Sequence, residues 1–284
     1  MTISSIEPGT ASTSAAARHV RKITHSTRGH THGPITRLVS PGDVGELIKP
    51  FVFLDFFSSE PRGWGGGMGW HPHSGIATVT VILEGGATYE ETTGAKGSLS
   101  RGGVEWMRAG NGVWHTGGPA ATGRTTGYQL WIALPPALEN GPSASHYVQP
   151  GDVPVDGPVC VILGRYGNAV SPIAAPTSMS YLVVELKAGA RWTYRPPADH
   201  TVCWVAVHRG TLRAPAAVSS GELAVFDSSN DPIDFIAEGD TAFVLGSAAP
   251  HPHPLVLGSY SVHTSRAALA RDEAEIRRIG ESNF

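Results

Sequence analysis

The sequence predicts an all-β protein built from two similar halves. Three observations carry that reading. The chain has 35 glycines and 22 prolines, and only 16% of its residues are charged, which suits many short strands joined by tight turns. Apolar runs such as IATVTVILEGG, VEWMRAGNGVWH, YLVVEL and GELAVF recur along the chain and stop at turn residues, glycine above all. The pattern of the first half also returns between Val159 and Val262. At 284 residues the length points to about two domains, and 40% hydrophobic residues suffice for packed cores.

Taken in order, Met1 to Ala17 is rich in Ser, Thr and Ala and lacks the apolar segment of a signal peptide. Residues 1–18 are therefore expected to be a disordered tail. A first barrel is expected over 19–140, a linker over 141–158 and a second barrel over 159–284. Residues 34–57 alternate apolar strands with turns, Ser40-Pro41-Gly42-Asp43 being turn chemistry. Asp55 interrupts the apolar run FVFLDFF. An unpaired buried carboxylate is costly, so Asp55 is expected to hydrogen-bond a neighbouring backbone, with a functional acid as the alternative. The stretch Ser58 to Gly69 contains GWGGGMG but lacks the lysine, spacing and following helix of a phosphate-binding loop. It reads as a mobile approach to the histidine pair at His71 and His73.

Those two histidines are separated by one residue, and in an extended strand positions i and i+2 share a face. A strand then runs through Glu84, and a second run delivers His115 after a turn at Gly110-Asn111-Gly112. Three neutral imidazoles brought together by strand pairing make a site for a divalent first-row transition ion. His30-Thr31-His32 and His251-Pro252-His253 share the spacing but lie in loop-like sequence. If alternation continues unbroken from His71, Ala77, Val79, Val81 and Leu83 share the ligand face. Trp70, Trp106 and Trp114 read as barrel filling, with an aromatic substrate wall as the alternative.

Gly127 to Leu134 is another strand, and Pro135 to Pro158 reads as the crossing between halves. In the second half, roughly Pro196 to Asp199 falls where the histidine pair lies in the first, so no metal site is expected there. His200 and His208 read as ordinary polar residues. Ser265 is a capping-type residue before an amphipathic helix expected to end near Gly280. Cys160 and Cys203 are not a disulfide framework; as small buried thiols they point to a reducing, cytoplasmic setting. The net charge of −3 gives no basis for direct nucleic-acid binding, and no apolar run is long enough to span a membrane.

Several segments together resemble pirins: Gly69-Trp70-His71-Pro72-His73, ATVTVILEGG, VEWMRAGNGVWHTG, the upstream PFVFLDFF, QLWIALP, and the C-terminal PLVLGSYSVHTSRAALARDEAEIRR. The resemblance covers the chain from about Gly33 onward. It implies a bicupin, two jelly-roll-like β-barrels with a C-terminal helix, and a metal in the first barrel. His71, His73 and His115 carry over as metal ligands. The family's glutamate, two residues after the third histidine, does not, because Gly117 stands there. Fe(II) is the expected ion, with Mn, Ni, Cu or Zn as alternatives and none if the site is degenerate. The resemblance implies either a quercetinase-like dioxygenase acting on a small aromatic, chelating substrate, or a metal- and redox-dependent partner of a transcription factor or metabolic enzyme. A metal-free barrel binding a small apolar ligand is the third expectation.

Overall fold

The computed structural model describes residues 20–60, 68–120 and 123–284. The expected tail over 1–18 and most of the glycine-rich stretch lie outside the described residues.

Each half pairs a seven-stranded sheet with a four-stranded one. In the first half the large sheet runs in the order Ala144–Val148, Val104–Arg108, Ile76–Glu84, Thr125–Ala133, Phe51–Ser59, Ile35–Val39, His30–His32. Its small sheet runs Met68–His73, Val113–Pro119, Gly86–Glu91, Lys96–Ser100. The second half repeats the plan. Its large sheet runs Ile23–Thr27, Glu222–Phe226, Val202–Arg209, Thr241–Ala248, Met179–Leu186, Val159–Leu163, Val155–Asp156. Its small sheet runs Arg191–Tyr194, Ile233–Ala237, Thr211–Arg213, Ala217–Ser219. The expected all-β, two-barrel architecture with a C-terminal helix is the observed one.

The two large sheets pack against each other. Ala77, Val79, Val81 and Leu130 of the first share one apolar core with Trp204, Ala206, Val225 and Val244 of the second. Trp204 is fully buried and meets Phe51 edge-on at 5.5 Å. With partners on both faces, every residue from Ile76 to Ile82 is buried, so this strand is one apolar run relieved by threonines. The second barrel's interior is filled by Trp192, Tyr194, Phe226, Phe235 and Phe243.

The alternation expected to carry the ligand face through Ala77, Val79 and Val81 is broken. Those residues face the other barrel, and Thr80 lines the first barrel's cavity instead. The cause is a corner at Ser74-Gly75, where the chain leaves the small sheet for the large one. Gly75 has φ +70°, which favours glycine, and a Cβ there would overlap the Val262 carbonyl.

Four segments cross the expected boundaries. Ile23–Thr27, inside the span given to the first barrel, pairs with Glu222–Phe226 of the second. Ala144–Val148, inside the span given to the linker, is an edge strand of the first large sheet. The hairpin Val256–Gly258 and Ser261–His263 returns to the first half, where Ser261 bridges Ser74. His263 Nε2 lies 3.0 Å from Ser74 Oγ, and Glu139 accepts hydrogen bonds from the Thr264 amide and hydroxyl. Lastly, the helix Arg266–Asn283 lies on the strand Val113–Pro119. Ser265 caps it as expected, by accepting from the Ala268 amide. It runs past Gly280, because a glycine there lets the backbone lie against Trp114, 3.0 Å from where a Cβ would be. Trp114 Nε1 donates to the Ile276 carbonyl.

Three smaller expectations change. Asp55 accepts from the Arg37 guanidinium rather than from backbone. His30–His32 is a short exposed strand paired with Ile35–Val39, not a loop. Cys160 and Cys203 are free, and of the two only Cys203 is fully buried. Among the described residues no helix is long and apolar enough to cross a membrane.

Two predictions test this packing. Trp204→Ala removes the largest fully buried side chain from the shared core and is expected to cost about 3–5 kcal/mol in urea unfolding; a loss under about 1 kcal/mol contradicts the packing. His208 lies against Phe56 and Tyr128, and burial, with Arg209 adding, lowers its pKa from 6.5 to about 4. Between those values the unfolded chain binds the proton and the folded chain does not. The stabilising contribution is therefore full above pH 6.5 and is lost as pH falls toward 4. Urea midpoints measured over that window are expected to fall less steeply in His208→Gln than in the parent; equal slopes contradict the assignment.

Candidate metal site

Strand pairing builds the site. Met68–His73 and Val113–Pro119 run antiparallel, with His115 directly opposite His71 and Val113 opposite His73. Directly opposed residues point to the same face, and so do i and i+2. All three imidazoles therefore enter the first barrel. Their ring centroids lie 4.4 Å (His71–His115), 4.9 Å (His73–His115) and 5.1 Å (His71–His73) apart. One ring nitrogen from each falls within 4.8 Å of the other two.

The hydrogen bonds fix which nitrogen faces inward. His71 Nδ1 lies 2.8 Å from the Gly69 carbonyl and His73 Nδ1 lies 2.9 Å from the Tyr260 carbonyl. A carbonyl only accepts, so each Nδ1 carries the proton and each Nε2 keeps its lone pair. The Nε2 atoms of His71, His73 and His115 are all buried without a protein partner. Such orphans are costly unless something fills them.

Electrostatics hold the rings neutral. Burial, with His71 adding, lowers the His73 pKa to about 3. Burial, followed by the His73 and His71 charges, holds His115 well below its ordinary value. Burial lowers His71 too, against the Gly69 hydrogen bond. Three unprotonated imidazoles at neutral pH are the ligand form for a divalent ion.

The rings open into a cavity of about 420 Å³, within the roughly 300–1,000 Å³ common for small-molecule sites. Phe53, Phe57, Tyr89, Trp131 and Tyr260 supply its aromatic wall. Phe53 and Trp131 are stacked at 4.0 Å, and His73 meets Trp131 edge-on at 4.9 Å. The tryptophans named from sequence lie elsewhere. Trp106 is in the core between the barrels, while Trp70 and Trp114 pack on Phe284 at the end of the helix.

Gly117 lines the cavity, and a Cβ there would come within 2.9 Å of the Thr88 carbonyl oxygen. A side chain there would require the neighbouring strand to shift. Sequence reasoning missed two residues that face the site. Glu105 is buried and lines the cavity, its Oε1 standing 3.9 Å from His115 Nδ1. Burial chiefly, with the Glu91 charge adding, raises its pKa to about 7. Its signal was a carboxylate inside an apolar strand run. Tyr260, the second, adopts φ +59°, rare for a residue with a side chain. It is 187 positions from the histidine it serves, and no local pattern marks it.

Of the remaining histidines, His200 is bonded to Ser178 and Ser247 in the second barrel. His251 and His253 lie in a loop, ring centroids 5.3 Å apart. Among the described residues, the group positioned to hold a metal is His71, His73 and His115.

Comparison with known proteins agrees with this architecture. The family model described as Pirin matches residues 22–132. A Pseudomonas aeruginosa protein named "Putative quercetin 2,3-dioxygenase" is 31% identical over 238 residues, 78% of this chain and 83% of that one. A pirin-like protein of Caulobacter vibrioides is 29% identical over 253 residues, 86% and 91% of the two chains. Among solved structures, quercetin 2,3-dioxygenase from Acinetobacter baumannii superposes with a TM-score of 0.84 at 23% identity, covering 92% of this chain and 98% of that one. The Escherichia coli bacterial pirin YhhW, in complex with nickel(II), superposes with a TM-score of 0.64 at 19% identity, covering 83% and 100%. These two structures support the shared fold, and the sequence relatives carry the relationship: the chain belongs to the pirin family.

Proposed function

We propose that His71, His73 and His115 hold a divalent transition ion, Fe(II) by preference, and that the protein is a quercetinase-like dioxygenase for flat, chelating aromatic substrates. The observation that carries the first part is the convergence of three buried, unpartnered Nε2 atoms. A metal bound there would supply a Lewis-acid and redox centre at which an anionic oxygen chelate and dioxygen react.

The chain's own residues account for the rest. The Gly69 and Tyr260 carbonyls fix two ligand rings before any ion arrives, which lowers the cost of assembling the site. Phe53, Trp131 and Tyr89 give the cavity an aromatic lining suited to an aromatic substrate, although Phe53 is itself packed against Trp131 and the Arg37 guanidinium. Three neutral ligands leave the ion's charge uncompensated, which favours a deprotonated substrate. Gly117 places no carboxylate against the ion, so the substrate binds as its anion without losing a proton to a side chain at that position.

The test is reconstitution without oxygen, using Fe(II), Mn(II) and Ni(II) in turn, followed by oxygen uptake with quercetin. Oxygen consumption and quercetin loss above the rate with free metal, abolished in His73→Ala, are expected. Turnover no faster than free metal with every ion rejects the dioxygenase reading.

A further inference from the structure

Two carboxylates flank His115, and one of them has both oxygens engaged elsewhere. Glu91 sits directly across the strand pair from His115, but its oxygens accept hydrogen bonds from the Ser145 and Tyr147 hydroxyls. Glu105 comes from the opposite sheet, on the strand Val104–Arg108. Its side chain is 9% exposed and directs Oε1 to the Nδ1 edge of the ring. Position 117 supplies nothing, since its backbone packs on Thr88. Of the three histidines, two have Nδ1 held by a main-chain carbonyl. The third instead has the Glu105 Oε1 3.9 Å away, a charge-range contact longer than a hydrogen bond.

We propose that Glu105 is the positioning residue for His115: its carboxylate keeps the proton on Nδ1, so that Nε2 is presented to the metal as an unprotonated ligand. This rests on the three-histidine metal reading. It places a carboxyl group on the sheet across the cavity, behind a ligand, rather than at the strand position beside it. Carboxylates placed behind metal-bound imidazoles fix ring orientation and raise ligand basicity, and their loss costs 10–100-fold in metal affinity.

The probe is nickel(II) alone, titrated into full-length, metal-free protein against a competing chromogenic chelator. Alongside it, ¹⁵N NMR at pH 9, where Glu105 is ionised and only accepts, reads the ring tautomer of His115 in the metal-free state. Glu105→Ala is expected to weaken nickel binding about 10–100-fold and to move His115 from one tautomer to a mixture. Glu105→Gln keeps an acceptor oxygen, so it is expected to restore the tautomer and part of the affinity; it carries the test alone if the alanine variant does not fold. Glu185→Gln, on the far barrel, is the unchanged control. Parental affinity in Glu105→Ala overturns the proposal, and so does weakened binding with an unchanged tautomer. If the parent binds nickel no better than His71→Ala, the metal reading itself fails and the proposal with it. Parental binding that Glu105→Ala leaves intact spares the metal reading.

Discussion

The register between Met68–His73 and Val113–Pro119 is the constraint on which the site depends. A slip of one residue would turn His115 to the opposite face from His71 and His73. Within the four-stranded sheet, Gly69, Gly86, Gly97, Gly117 and Gly118 weaken the specification of register. The register is held from outside. Trp114, between the ligand position and the turn, is tied through its indole to the C-terminal helix, and the adjacent corner at Ser74-Gly75 is closed by His263 and Val262. The end of the chain thus acts as a brace for a site formed near its beginning.

The two halves share a plan but differ in chemistry. The second barrel has the same pair of sheets, but its interior holds tryptophan, tyrosine and phenylalanine where the first keeps a cavity. Aromatic packing of this kind stabilises without needing polar partners. The first barrel gives up part of that packing to hold three imidazoles with buried, unsatisfied nitrogens. The large sheets buried against each other supply cohesion that a hollow barrel lacks.

Much of this was legible in the chain. Strand-forming runs, their glycine stops and the repeat gave the two-barrel plan, and the spacing of His71, His73 and His115 picked out the cluster. What failed were readings that needed a partner remote in sequence. The face of Ala77, Val79 and Val81 was misjudged because one glycine in a left-handed conformation redirects the chain. Asp55 was matched to backbone because Arg37 lies on another strand. Glu105 passed unnoticed because a single acid in an apolar run has no meaning until the facing sheet is known. Tyr260 was invisible for the same reason, on a longer scale. The departure at Gly117 was visible, but the closeness of the Thr88 carbonyl to that position was not.

The central claim is that three imidazole nitrogens share one cation. Anomalous diffraction from crystals of protein reconstituted with a single transition ion tests it most directly. The account predicts one strong peak inside the first barrel, within bonding distance of Nε2 of His71, His73 and His115 together. A cavity without a peak, or an ion bound through Nδ1 or elsewhere on the chain, would contradict it.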